Sequence, residues 1–474
     1  MNSLFRVVAW SEVLRLRRSP LRSLALLLYL AVGVASIEIG RGHLETLRSS
    51  LEEGERRQES LRAEAFGWFE EGRVGPEDRP WVDITEPLWM DWYSGSHLGL
   101  EAEALAGLSV GVSDVRGNLV RLNRLATPFD ADQWRQLANP EMQLLGVMDL
   151  SFVLSLLMPL LVIVLVFDLR SYERDRGIEG LVVLQAGQLR TWFWSRLLIA
   201  GALAGLPTLV LWILGGWRTE AIVSQPTAWL LGGLLTLSYL AVWVGFGGAV
   251  AARSGSANRA ALVLASAWIC FSVLLPAAAN QVVNSAEPVG YSTQIIDAVR
   301  ADRYKLYEQP VEALLPSVYE EFPALSLQPY AEAEEREDVR DRHVFDLASL
   351  QLTQEAYDRV AASERRRLET AGRFVLANPV QAFQAGLNQL AGTEALAYVR
   401  FGQAILDSVQ IKVGQILELA WTLEPNGRDE FVGFADSVPK RFNGSRAPAA
   451  TVWAALLLWG LASLVLASGV KEQR

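Results

Sequence analysis

One cysteine, Cys270, stands in the entire chain, so no intrachain disulfide can form and thiol redox chemistry has no second partner. The three histidines, His43, His97 and His343, are too scattered to suggest a metal site, and neither HExxH nor CxxC occurs. No GxxxxGK[ST] run is present, so the chain lacks the backbone cradle by which that loop holds the phosphates of ATP. A net charge of −10 argues against nucleic-acid binding, which needs a clustered basic surface. Charged residues are few at 20%, whereas hydrophobic residues reach 51% with a mean hydropathy of +0.19, more than an ordinary soluble chain carries. What is present in place of charge is hydrocarbon.

About 20 consecutive apolar residues let a helix cross a bilayer core with every backbone group satisfied internally. Six runs meet that requirement, placing spans at 21–40, 147–168, 197–217, 228–250, 258–279 and 448–468. The expected fold is a mainly α, polytopic membrane protein. VAS at 34–36 has the look of a leader cleavage site, but residues 1–20 carry Glu12 among arginines and read as an amphipathic elbow helix instead.

Positive residues flanking a span resist translocation, so their placement orients the chain. Arg6, Arg15, Arg17, Arg18 and Arg22 precede or enter span one, and Arg170, Arg174, Arg176, Arg190 and Arg196 separate spans two and three. Arg253 and Arg259 separate spans four and five, and Lys471 and Arg474 lie in the tail 469–474. All four segments fall on one side, which puts both termini in the cytoplasm and the long inserts 41–146 and 280–446 outside. The inserts carry 11 Lys and Arg against 19 Asp and Glu, and 17 against 25, so the remainder of the chain is net positive.

The inserts are too long to be plain loops and are expected to form a helical domain with some β structure. Residues 43–72 are rich in helix formers, so span one should continue outward as a charged helix. Pro, Gly and aromatics at 80–125, with the alternating VRGNLVRLN, suggest a few short strands. Tyr330 to Val375 reads as a second helical block whose charge runs are a solvated face.

Ionisable residues at membrane depth raise a functional question. Glu38 and Asp149 fall near the outer ends of spans one and two and are candidates for a gate, although the interface with water also explains them. Pro159 and Pro276, in spans two and five, are hinge candidates because proline removes a helix donor and permits a kink. GLSVG at 107–111 fits the G-x-S-x-G elbow of serine hydrolases with Ser109 as nucleophile, but only His343 follows it as a base, and nothing marks an α/β-hydrolase.

The stretch FDLRSYERDRGIEGL, residues 167–181, turns from near-pure hydrocarbon to dense charge, and residues 169–196 read as a cytoplasmic segment with a short amphipathic helix. NPEMQLLGVMDLSFVLSLLMPLLVIVLVFDLRSYERDRG is similar to the ABC-2 family of ATP-binding-cassette permeases. In particular it resembles the branch with large extracytoplasmic inserts, often labelled copper-enzyme-maturation-type permeases. AWSEVLRLRRSP looks like that family's elbow helix, and EALAGLSVGVSD resembles part of its first insert. The family's T-L after the glycine is Ile178 and Glu179 here, and its proline is Ala186.

The resemblance implies a non-enzymatic transport subunit in a bacterial inner (cytoplasmic) membrane, binding no cofactor itself. ATP and Mg²⁺ would belong to two copies of a separate ATPase pressing on Tyr172, Glu173, Arg174, Asp175, Arg176, Gly177 and Leu181. It also implies a second permease chain, identical or homologous. The alternative is a mechanotransmitter or assembly scaffold that uses the same motion on a periplasmic partner without moving a solute.

Overall fold

The computed structural model describes residues 2–130, 147–178, 180–181, 184, 189–287, 301–327, 334–421 and 426–468. Among these the chain is mainly helical, and six helices are long and apolar enough to cross a membrane. The tail 469–474 and part of each insert lie outside the described residues.

Helix α1 (Asn2–Arg18) stops where Ser19 and Pro20 begin α2 (Pro20–Glu70). Ser19 Oγ accepts from Arg22 N, and proline takes the first helical position, where a missing N–H leaves nothing unpaired. The first apolar turns of α2 are span one. The helix then runs on unbroken for 51 residues in all, laced by pairs such as Arg41–Glu45 and Arg57–Glu53, as its helix-forming composition implies.

The first insert continues with α3 (Pro87–Tyr93), β1 (His97–Leu100) and β2 (Leu119–Arg121). Span two, α4, starts at Leu150–Phe152, passes through a π-turn at Val153–Leu157 and continues as Met158–Val166. Next come α5 (Ser171–Asp175) and spans three and four, α6 (Leu189–Arg218) and α7 (Pro226–Arg253). Span five, α8, comprises Ala257–Ile269, a second π-turn at Cys270–Leu274, and Leu275–Ala286. The second insert holds α9 (Glu334–Val375), α10 (Pro379–Ala391), α11 (Ala395–Trp421), α12 (Arg428–Ala435) and β3 (Arg441–Phe442). Span six is α13 (Ala450–Ser468).

The two inserts fold as one unit. β1 pairs antiparallel with β2 and parallel with β3, so a strand from just before span six completes a sheet begun in the first insert. Leu98 and Val120 of that sheet share a buried core with Val344 of α9 and with Ile405 and Val409 of α11.

The second insert is not wholly outside the bundle, contrary to the expectation for 280–446. Leu376 O accepts from Trp459 Nε1 at 3.1 Å, Asn378 Nδ2 donates to Phe271 O at 2.8 Å, and Phe383 stacks on Tyr239 at 4.5 Å. Trp459, Phe271 and Tyr239 are the middle residues of α13, α8 and α7, so α10 enters the bundle to half the length of its spans. With 13 residues α10 is too short to cross a bilayer, which is why a search for runs of about 20 passes over it.

A titratable amine lies deep in the insert domain. Lys412 of α11 is fully buried, donates to Phe434 O at 2.6 Å and lies 3.7 Å from the centre of the Phe434 ring. Burial pushes its pKa down to about 7, against the opposing pull of Asp91 and Asp436, while Arg62 adds to the lowering. Asp91 is itself buried and its carboxyl is pushed up by that burial. The unfolded chain keeps the lysine proton to about pH 10.4. Between about 7 and that value the unfolded state binds more protons, so stability rises with pH through the window, and the penalty of the charged lysine is fully present below it. Lys412→Met should therefore stabilise the insert domain at pH 7 by on the order of 2 kcal/mol and flatten its stability between pH 7 and 10. Denaturant unfolding followed by tryptophan fluorescence across that range is the check; an unchanged slope would show that the lysine carries no such penalty.

Candidate functional site

The arginine-rich turn after span two is clamped at its base by buried charge. Arg196, in the first turns of α6, is 1% exposed, and its guanidinium lies 2.5 Å from Glu12 Oε1 and 2.8 Å from Glu173 Oε2. It also donates to Leu169 O and rests on the Trp192 ring, 4.6 Å from its centre. Glu12 takes a second arginine, Arg15, at 3.2 Å, and Arg15 reaches Asp168 at 3.0 Å. Arg22 closes on the other oxygen of Asp168 at 2.5 Å. Three arginines and three carboxylates thus form one network joining α1, α2, the end of α4, α5 and α6. Arg170 extends the fastening to span four by donating to Ala252 O at 2.6 Å.

Such a network is favourable only when complete, because each charge has left water and depends on the others for compensation. It gives the turn a rigid seat. Tyr172 is held between two guanidinium groups, Arg15 at 3.8 Å and Arg176 at 3.6 Å from its ring centre. Gly177 then ends α5 with φ +68°, its N–H bonding Arg174 O while Ile178 N–H bonds Glu173 O, a left-handed cap that a side chain would strain. Beyond the cap the chain faces outward: Asp175, Arg176, Gly177 and Ile178 are exposed, and Leu181 and Leu184 are 56% and 83% exposed. Residues 179, 182–183 and 185–188, including Ala186, lie outside the described residues.

The expected contact residues therefore divide. Glu173 points inward to Arg196 and cannot meet a partner, and Arg174 is half-buried. Asp175, Arg176, Gly177 and Leu181 remain on the open side, with Ile178 and Leu184 as further apolar members of the same edge.

The hinge candidates sit beside the π-turns. Pro159 follows Val153–Leu157 and Pro276 follows Cys270–Leu274, each two residues past the turn. Proline has no N–H for the carbonyls four and five residues before it, and side chains from other helices serve them instead. Ser155 O accepts from Tyr239 at 2.8 Å, and Phe271 O accepts from Asn378. Gln384 of α10 reaches Ser155 Oγ at 3.0 Å, so α10 is bonded to both proline-bearing spans.

Both gate candidates, Glu38 and Asp149, are held in contacts at the insert end of the bundle. Glu38 forms a two-pronged pair with Arg218 at 2.6 and 2.7 Å on the insert side. Asp149 caps span two through Phe152 N at 2.7 Å and accepts from Val110 N at 2.6 Å, tying the span to the first insert. Ser109 is buried and donates to Asn388 Oδ1 of α10 at 2.6 Å, while His343 pairs with Asp346 at 3.2 Å; the two are held in separate contacts. Among the described residues no group of His, Cys, Asp and Glu could hold a metal ion.

Reading the sequence for function missed the clamp and the entry of α10 into the bundle. The available signals were Arg196 at the edge of the apolar run of span three, and Glu12 among arginines. Asn378 and Gln384 gave none, since lone amides in a polar insert are unremarked until their neighbours are known. Compared with family models, curated proteins and solved structures, the chain matches none.

The clamp makes a specific prediction. Arg196→Met should destabilise the protein by about 3–5 kcal/mol, because Glu12 and Glu173 stay buried without their shared cation. Adding Glu12→Gln and Glu173→Gln should recover much of that loss. Thermal unfolding of the purified protein in detergent measures both, and equal loss in single and triple variants would refute the network.

Proposed function

We propose that this chain is the membrane-spanning permease subunit of an ABC-2-type transporter, moving a substrate across or out of a bacterial inner membrane. Two copies of a separate ATPase would supply the energy, and a second permease chain would complete the pore-forming pair. The observation that carries this reading is an exposed apolar edge, Ile178, Leu181 and Leu184, on a turn clamped to several spans. An edge of that kind is a docking surface, and its rigid base lets a push travel on instead of being absorbed locally. ATP and Mg²⁺ would bind in the partner, in keeping with the missing phosphate loop.

Force on the turn would reach α6 through Glu173 and Arg196, and α4 through Asp168. The π-turns at Val153–Leu157 and Cys270–Leu274 are where α4 and α8 would bend, since their backbone ladders are already interrupted there.

A second reading has one specific observation in its favour. Helix α10 bonds both proline-bearing spans, and α9, which leads into it, is a 42-residue helix of the insert domain. Bending in α4 or α8 would therefore pull on the insert domain directly, as a transmitter acting on an external partner requires.

Leu184→Glu and Leu181→Glu should abolish co-purification with a co-expressed ATPase while leaving the melting temperature unchanged, because both side chains are exposed. Undiminished capture would remove the docking role, and ATP hydrolysis by this chain alone would refute the division of labour. Reconstituted vesicles loaded with a labelled substrate would then separate transport from transmission.

A further inference from the structure

We infer that the seam between spans one and two on the side of the arginine clamp binds one anionic phospholipid. Two cavities carry the inference. One, of about 710 Å³, opens between α1 and α5 beside the charged network. The other, of about 300 Å³, is a groove lined almost wholly by apolar side chains, from Ala25 to Val32 on α2 and from Leu157 to Val164 on α4.

The two lie on one stripe of each helix. On α4 the groove residues Leu157, Leu160, Leu161 and Val164 are followed at the same three-to-four spacing by Phe167 and Asp168 of the charged cavity. On α2 the sequence runs from Leu21 and Arg22 to Ala25, Leu28 and Tyr29. From Asp168 to Leu157 the stripe covers about 16 Å of helix, close to the ~15 Å hydrocarbon depth of one leaflet. A headgroup seat therefore leads straight into a seat for an acyl chain.

Charge selects the headgroup. The first cavity is lined by five arginines and three carboxylates, so it is positive overall. Arg15, Arg22 and Arg196 are engaged by Glu12, Asp168 and Glu173. The positive excess resides in Arg18 and Arg176, which have no carboxylate partner among the described residues; Arg176 only rests on the Tyr172 ring. Two guanidinium groups at the mouth of a cavity between spans fit a lipid phosphate bearing a net negative charge. This assignment does not rest on an ATPase partner, because every residue in it belongs to this chain.

The test uses the full chain, purified in uncharged detergent and stripped of lipid. Phosphatidylglycerol should raise the melting temperature and remain as a single bound molecule in native mass spectrometry. Phosphatidylcholine with the same acyl chains, and inorganic phosphate alone, should do neither. Arg18→Gln with Arg176→Gln should weaken phosphatidylglycerol binding roughly twenty-five-fold, at about fivefold per arginine near a membrane surface. That variant strands no carboxylate, so its fold is expected to survive. Ala25→Phe, which fills the groove, should weaken lipid binding without altering the clamp. Equal binding of phosphatidylcholine, a full effect from phosphate alone, or unchanged affinity in the double arginine variant would each overturn the assignment.

Discussion

The guanidinium of Arg196 is the constraint on which the end of the bundle remote from the insert domain depends. A fully buried cation must be compensated where it stands, and among the described residues the carboxylates that pair with it come from two other segments, Glu12 of α1 and Glu173 of α5. That requirement pulls the elbow helix and the arginine-rich turn onto the start of span three. Asp168 then gathers Arg15 and Arg22, so the ends of spans one and two join the same assembly. The turn is thereby fixed at its base and carries an exposed apolar tip.

At the other end the constraint is backbone hydrogen bonding. Pro159 and Pro276 leave carbonyls that their own helices cannot serve, and a bilayer core offers no water in place of the missing donor. Tyr239 and Asn378 supply it, and Gln384 adds a bond to Ser155 Oγ. The same geometry explains why a short amide-bearing helix is wedged among spans two, four, five and six. Interruption of the two helices and insertion of α10 are one structural solution, and it links the interrupted parts of the spans to the insert domain.

Much of this was legible in the sequence, for identifiable reasons. Spans of about 20 apolar residues, the helical continuation of span one and the long helix ending at Val375 follow from local composition, which needs no knowledge of partners. The strand at Leu119–Arg121 was visible in the alternation of VRGNLVRLN. Strand β3, two residues long and more than 300 positions from its partner β1, was not, because strand pairing at that distance leaves no local trace. The turn's position was legible from its charges, but which charges face inward was not: Glu173 and Asp175 differ only in the helix face they occupy, and that face is set by Arg196 from another segment. The depth of α10 was hidden by its length, which is ordinary for a soluble helix.

The central claim is that the clamped turn and the insert domain lie on opposite sides of the membrane, so that a push on one can be felt by the other. Single cysteines at the exposed positions Asp175 and Glu59, in a Cys270→Ser background, test it with an impermeant thiol reagent on right-side-out spheroplasts. The account predicts that Glu59→Cys is labelled in intact spheroplasts and Asp175→Cys only after the membrane is opened. Labelling of both from the same side would contradict it.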